Sequence, residues 1–468
     1  MSFSMPRITI VATRGGSGKT LLSLGIARHL ANKGIKVIPF KKGPDYIDAA
    51  WLAKASRQPC YNLDPYLMSN ETILDSFCMR GQKGSFCLVE GNRGLFDGVD
   101  EKGSQSSAEL AKLLSSPVIL VMDATKTTRT MAALALGCKI FDPDMNIAGI
   151  VLNNIANTRH KRLTTTTIEQ TTGIPVLGTV QRLKDDPMPM RHLGVTPYNE
   201  YENAEKNLEY IASLINEQVD MEAILKTANS APAIKCPSAS PPHMPHPVKD
   251  HLKIGVLRDA AFQFYYPENL EALEKGGAEL VFVNAISQQT LPPLHALYIG
   301  GGFPETQAVK LSQNLSLMKP LRMAIENGLP VYAECGGLMY LGRHIHWRGT
   351  KHLMLQAIDW DFVLEDLPVG HGYCTLEITQ DTPFYKAGVT LKGHEFHYSR
   401  PVPLQGNNSG RLSARVVRGH GFDGKSDGLC HKNIFGTYLH IHALSHSEWA
   451  HGLLQKASDF AKQPQPFF

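Results

Sequence analysis

Short apolar runs rich in Ile, Val and Leu recur along both halves of the chain, separated mostly by longer stretches in which apolar residues return every three or four positions. Runs of four to eight such residues fit strands buried on both faces, and the longer stretches fit the helices that connect parallel strands. In the first half the pattern predicts strands at Arg7–Ala12, Val37–Phe40, Phe86–Glu90, Pro117–Asp123, Ile147–Asn153 and Pro175–Val180. In the second half it predicts Lys253–Leu257, Leu280–Val283, Leu297–Ile299 and Val331–Glu334, then a stretch from Leu353 to His442 with more strand than helix character. The fold class is therefore α/β, with two domains that are each a mostly parallel sheet flanked by helices.

Between the halves, Ser230–Lys249 reads SAPAIKCPSASPPHMPHPVK and carries neither period. A segment of this composition reads as a linker, which divides the chain into a domain over 1–228, a linker over 229–251 and a domain over 252–468. A length of 468 residues is enough for both to bury a core. The 47 basic and 43 acidic residues nearly balance and form no long basic run, so small molecules are expected as partners and nucleic acid is not. No apolar stretch approaches the roughly 20 residues needed to span a bilayer, and the start MSFSMPR lacks the layout of a signal peptide. A cytoplasmic protein with no membrane partner is expected. The eight cysteines are scattered without a C-x-x-C pair, which in that compartment predicts neither a disulfide nor a zinc framework.

The first strand runs directly into Thr13-Arg14-Gly15-Gly16-Ser17-Gly18-Lys19-Thr20, and a helical pattern follows through Leu21, Leu24, Ala27, Leu30 and Ala31 up to Gly34. Glycines let backbone N–H groups turn onto phosphate oxygens, a lysine reaches the outer phosphates, and a hydroxyl ligates Mg2+. Gly15, Gly16, Ser17, Gly18, Lys19 and Thr20 are thus candidates to bind ATP, although Thr13 stands where such loops usually begin with glycine. Mg2+ also needs hard oxygen ligands at neighbouring strand ends. Asp45 and Asp48 in KKGPDYID, and Glu90 and Asp97 in LVEGNRGLFDG, are available. Asp48 and Glu90 join Thr20 as candidate metal ligands. Asp45 and Asp97, with Lys41 and its neighbour Lys42, are candidates to meet a substrate carboxylate or a phosphoryl group in transfer. Asn153, at the end of IAGIVLNN, is placed to read the adenine.

In the second half, LPVYAECGGL is a strand pattern that ends at Cys335 and turns through glycines into a helical stretch. That layout holds a thiol out over a sheet at the start of a helix, which favours the thiolate. The base must come from elsewhere in the chain, and His440 in FGTYLHIH is the candidate, with His442 two residues on as a possible orienter. Gly301 and Gly302, after the strand ending at Ile299, and Gly336 supply candidate oxyanion donors.

Together AECGGLMYL, IGGGFPE and TYLH resemble the class I glutamine amidotransferase domains, and the first half resembles the dethiobiotin-synthetase-like P-loop ATPases. The two in this order, with KKGPDYID, LVEGNRGLFDG, RDAAFQFYYPENLEALEKGGAEL and GHEFHYS at Gly393–Ser399, resemble the cobyrinic acid a,c-diamide synthases. The resemblance implies ATP- and glutamine-dependent amidation of two acetate carboxylates of cobyrinic acid through an acyl phosphate. Its partners would be a tetrapyrrole polycarboxylate, glutamine and ATP, with Mg2+ as cofactor, and the protein would be a monomer or homodimer. The same chemistry on hydrogenobyrinic acid, nickel-sirohydrochlorin or a sirohaem-type compound stays open. So does a nucleotide-switch ATPase whose second domain is non-catalytic. Domains of this class commonly carry glutamate two positions after the catalytic histidine. His442 stands there, and Ala333 replaces a frequent elbow glycine, so the third catalytic member is open.

Overall fold

The structure is a computed structural model that describes residues 2–81, 84–185, 187–188, 190–191, 194–236, 251–405 and 409–463. The chain divides into two compact units, Met1–Pro241 and Pro242–Phe468.

In the first unit seven described strands form one wholly parallel sheet: β1 (Arg7–Ala12), β2 (Val37–Lys42), β3 (Tyr61–Leu63), β4 (Phe86–Glu90), β5 (Val118–Asp123), β6 (Ile147–Ile155) and β7 (Val176–Gln181). Their order is β3-β2-β4-β1-β5-β6-β7. Side chains alternate across a strand, so each strand feeds two cores. Ile8, Ile10, Ile119 and Val121 pack with the helices Lys19–Asn32 and Ala204–Gln218 on one face. Val11, Val118, Leu120 and Met122 pack with Arg129–Phe141 and Thr158–Thr172 on the other. Strands covered on both sides must be apolar throughout, which is why their runs are continuous. β2 runs two residues past its apolar run because Lys41 and Lys42 stay in the ladder, where Lys41 registers with Glu90. The three-residue β3 is too short to leave a period.

The expectation of no disulfide is corrected: Cys78 and Cys236 are bonded, 158 residues apart, with Cα atoms separated by 6.0 Å. The start of the predicted linker is packed onto the first unit. Ile234–Lys235 pairs antiparallel with Ser2–Phe3, and the buried Arg7 guanidinium donates to Pro232 O at 2.6 Å. These contacts carry Cys236 back to the helix Asn70–Arg80, where Cys78 sits. Residues 237–250 of the linker lie outside the described residues.

The second unit holds β8 (Leu252–Leu257), β9 (Ala278–Val283), β10 (Ala296–Ile299), β11 (Val331–Glu334), β12 (His344–Trp347), β13 (Thr350–Leu353), β14 (Trp360–Leu364), β15 (Gly370–Ile378), β16 (Thr390–His397), β17 (Ser399–Pro403), β18 (Arg411–Arg418), β19 (Ser426–His431), β20 (Ile434–Thr437) and β21 (His440–Ile441). Ten of them form a sheet in the order β9-β8-β10-β11-β20-β19-β18-β15-β16-β21. It is parallel from β9 to β20 and antiparallel beyond. The strand-rich stretch thus supplies the antiparallel half and, through β14 and β17, two strands of a separate four-stranded sheet β13-β12-β14-β17. Among the described residues no helix is long and apolar enough to cross a membrane.

Candidate functional site

Parallel sheets bind ligands beyond the carboxyl ends of their strands, and in the first unit the candidate residues gather there. Gly16 and Gly18 follow β1 with φ of 73° and 100°, a backbone that glycine adopts without strain. The helix begins at Lys19. A Cβ on Gly18 would lie 2.3 Å from Asn153 Nδ2, and that amide donates to Ser17 O at 3.0 Å. Asn153 therefore supports the loop through this bond. Lys19 Nζ donates to Arg93 O at 2.9 Å. Arg14 is largely exposed and pairs with Asp123 at 2.7 Å. Asp97 accepts from Gly94 N–H at 2.8 Å and so closes the turn after β4.

Thr20, Lys41, Asp45, Asp48 and Glu90 form one cluster. Thr20 Oγ1 donates to Glu90 Oε1 at 3.0 Å. Lys41 Nζ donates to that same oxygen and to Asp48 Oδ2, both at 2.7 Å, and lies 3.9 Å from Asp45 Oδ2. Asp45 Oδ1 accepts from Asp48 N–H at 2.9 Å. Burial alone would lower the Lys41 ammonium, but the charges of Asp48 and Glu90 outweigh it and hold the group well above its usual range. Burial, then the charge of Lys41, lowers Lys19. Burial, then the charge of Asp48, pushes the Asp45 carboxyl up, a push moderated by the 28% of its side chain still open to solvent. Glu90 is fully buried, and its second oxygen, Oε2, has no hydrogen-bond partner among the described residues.

In the second unit β11 ends at Glu334, and Cys335 turns the chain into the helix Gly336–Leu341 at φ 44°, an uncommon conformation for a residue with a Cβ. Its N–H donates to Thr437 O on β20 at 2.8 Å, and Sγ lies 3.8 Å from Phe396 O on β16. Three residues past Thr437 stands His440, 2% exposed. The Gly300–Gly302 loop lies against both sides of the centre. A Cβ on Gly301 would come within 2.3 Å of His440 Cε1, and a Cβ on Gly336 would stand 3.1 Å from Gly302 N. Gly300 N–H is bound to the Tyr265 hydroxyl at 2.9 Å. Burial, followed by the charge of Glu305, pushes the Cys335 thiol up despite the opposing Gly336 N–H. Held up in this way, the group favours the neutral thiol.

His442 is turned elsewhere. The strand stops at Ile441, so the alternation that would have put both histidines on one face does not continue. His442 Nδ1 accepts from Leu444 N–H at 3.2 Å, its ring lies 4.5 Å from that of Tyr266, and Nε2 is 3.7 Å from Glu268. The carboxylate beside His440 is Glu334, whose Oε2 lies 3.1 Å from His440 Nδ1. Sequence reading passed over Glu334. Its signal was an acidic residue closing an apolar strand, as Glu90 does.

Residues 8–195 match the CobQ/CobB/MinD/ParA nucleotide binding domain family, and residues 253–448 match the CobB/CobQ-like glutamine amidotransferase domain family. The fold and these two matches thus define a glutamine-dependent amidotransferase built onto a nucleotide-binding unit. Over 454 residues the chain is 38% identical to a cobyrinate a,c-diamide synthase of Magnetococcus marinus, covering 96% of this chain and 97% of that protein. A synthase of the same name from Archaeoglobus fulgidus is 38% identical over 460 residues, 98% of each chain. One from Methanosarcina barkeri is 38% identical over 488 aligned positions, covering 98% and 97%. The chain belongs to the cobyrinate a,c-diamide synthase family and is a carbon–nitrogen ligase that uses glutamine as nitrogen donor. That membership sets aside a non-catalytic second domain.

Proposed function

We propose that this chain converts the a and c acetate carboxylates of cobyrinic acid into carboxamides, with ATP to activate the acid and glutamine to supply nitrogen. The reading rests on one observation above others: the cluster of Thr20, Lys41, Asp48 and Glu90 lies within direct hydrogen bonds beside the phosphate cradle. Hydroxide is a poor leaving group, so a carboxylate must be activated before ammonia can displace an oxygen from it. In this scheme Gly15–Thr20 hold the triphosphate, and a substrate carboxylate oxygen attacks the γ-phosphorus as the bond to the ADP oxygen breaks. Ammonia then attacks the acyl phosphate carbon, phosphate leaves with the bonding pair of the C–O bond, and loss of a proton leaves the amide.

Thr20, Asp48 and Oε2 of buried Glu90, which has no hydrogen-bond partner among the described residues, suit a hard cation. They would hold Mg2+, which supplies neutralisation of charge on the phosphoryl oxygens. Lys41, anchored by two carboxylates, and Asp45 face the same edge and serve the transferring phosphoryl group and the incoming acid. Asp97 shapes the loop that borders them.

At the second centre the Cys335 sulfur attacks the carboxamide carbon of glutamine. His440 takes the thiol proton and returns it to the departing ammonia, while N–H groups of Gly301, Gly302 and Gly336 stabilise the oxyanion. Water then releases glutamate from the thioester. The test is Cys335→Ser with cobyrinic acid, ATP, Mg2+ and either glutamine or ammonium. Glutamine-driven diamide formation should fall at least about 10^3-fold while ammonium-driven formation persists, and Lys19→Ala should lose both. Full glutamine use by Cys335→Ser would overturn the role of the thiol. Turnover of hydrogenobyrinic acid or a sirohydrochlorin, but not of cobyrinic acid, would overturn the substrate.

A further inference from the structure

A catalytic histidine must present one nitrogen as acceptor towards the nucleophile, and something must hold the proton on the other. Two positions after His440, where a glutamate would do this, the chain has His442, and His442 is turned toward Tyr266 and the Glu268 helix. Glu334 satisfies the requirement from a different place. It is fully buried at the end of β11, one residue before the nucleophile, with Oε2 3.1 Å from His440 Nδ1. The Cε1 edge of His440 faces the Gly301 loop, with Nε2 and Nδ1 at 3.2 and 3.3 Å from the position of an added Cβ.

The carboxylate is itself fixed. Its Oε1 accepts from the Tyr298 hydroxyl at 3.1 Å, and it accepts from the Ile441 N–H as well. Asn269, buried in the PENLEAL helix, donates to the Tyr298 hydroxyl at 3.1 Å and to Ile441 O at 2.9 Å, and accepts from Ala443 N–H at 2.7 Å. Burial pushes this carboxyl up, and the three donors that converge on it oppose the push, an arrangement that suits an imidazole carrying its proton on Nδ1. His394 stacks on His440 with centroids 4.9 Å apart. Burial holds His394 neutral, so it adds no charge there.

We propose that Glu334, held by Tyr298 and Asn269, is the positioning residue of the glutaminase centre, orienting His440 in place of the carboxylate replaced by His442. The inference rests on the reading of Cys335 and His440 as the glutamine-hydrolysing pair. It makes Glu334→Gln the informative change. A glutamine of the same shape offers an N–H2 toward Nδ1, which favours the tautomer with its proton on the wrong nitrogen. Glutamate release by Glu334→Gln should fall about 10^3-fold in kcat with KM for glutamine changed less than about threefold. Ammonium-driven amidation should be unchanged. The split between kcat and KM is the readout that a merely structural role would not give, because a distorted pocket would raise KM for glutamine along with any fall in kcat. Normal glutamate release by Glu334→Gln, or a loss carried by KM, would overturn the inference. If Glu334→Gln fails to fold, Tyr298→Phe decides, with about a tenfold loss of glutamine turnover expected and an unchanged rate refuting it. Failure of the underlying reading looks different: Cys335→Ser or His440→Ala would then release glutamate as the wild type does.

Discussion

Gly301 measures how closely the glycine loop fits His440. Its φ lies outside the left-handed region, so alanine is allowed by the backbone and the cost of Gly301→Ala is one of contact alone. The added methyl would lie 2.3 Å from His440 Cε1, 3.2 Å from Nε2 and 3.3 Å from Nδ1. Ordinary carbon–carbon contact needs about 3.5 Å, so the ring or the loop must yield about 1.2 Å. The ring has little freedom, since Glu334 holds Nδ1 and His394 stacks on one face. A displacement of about 1 Å in an acid–base group costs on the order of 10^2-fold in rate, and overpacking costs about 1–3 kcal/mol in stability. Glutamate release assayed by coupled glutamate oxidation should therefore fall about 10^2-fold in Gly301→Ala. Amidation from ammonium serves as the internal control and should hold. A variant that releases glutamate within about threefold of wild type, with its fold intact by thermal melting, would refute the close packing of loop on ring.

Lys41→Met should destabilise the first unit by about 3–5 kcal/mol in urea unfolding, because it strands the buried Glu90 and the Asp48 carboxylate without their cation. The fully buried Asp427 carboxyl is pushed up to about 7 by burial, against the Gly428 and Tyr438 N–H groups that oppose the shift. A folded-state value above the unfolded one contributes stability that is complete below about pH 4 and lost as pH rises through 7. Asp427→Asn should remove that decline, so unfolding at pH 5 and pH 8 will show a smaller difference than in wild type. Reducing agent should lower wild-type stability by about 2–4 kcal/mol through the Cys78–Cys236 bond, and Cys78→Ser should abolish the dependence.

The residues proposed to carry the chemistry are legible where the pattern is local. Gly15–Thr20 is read from consecutive positions after an apolar run, and Cys335 from a strand that breaks into glycines, because a strand–turn–helix unit is specified by neighbours. The two cores of each sheet were also written in the continuous apolar runs of β1, β5 and β11, since only strands covered on both faces can afford no polar side.

Pairings made across strands were not legible. Lys41 meets Glu90 because β2 and β4 lie side by side in register, and nothing near either residue says so. Asn153 became a support for Gly18 once β6 took its place in the sheet beyond β5. Cys236 found Cys78 only when the segment after residue 230 folded back along Ser2–Phe3. Spacing leaves His442 as no more than a possible orienter, whereas the structure sets Glu334 against His440, 106 residues apart. The amino-acid order determined the elements and the reactive groups through short-range sterics and periodic burial. Which buried charge faces which was left to strand order and register, because a carboxylate taken out of water must find its donors wherever the packed chain brings them.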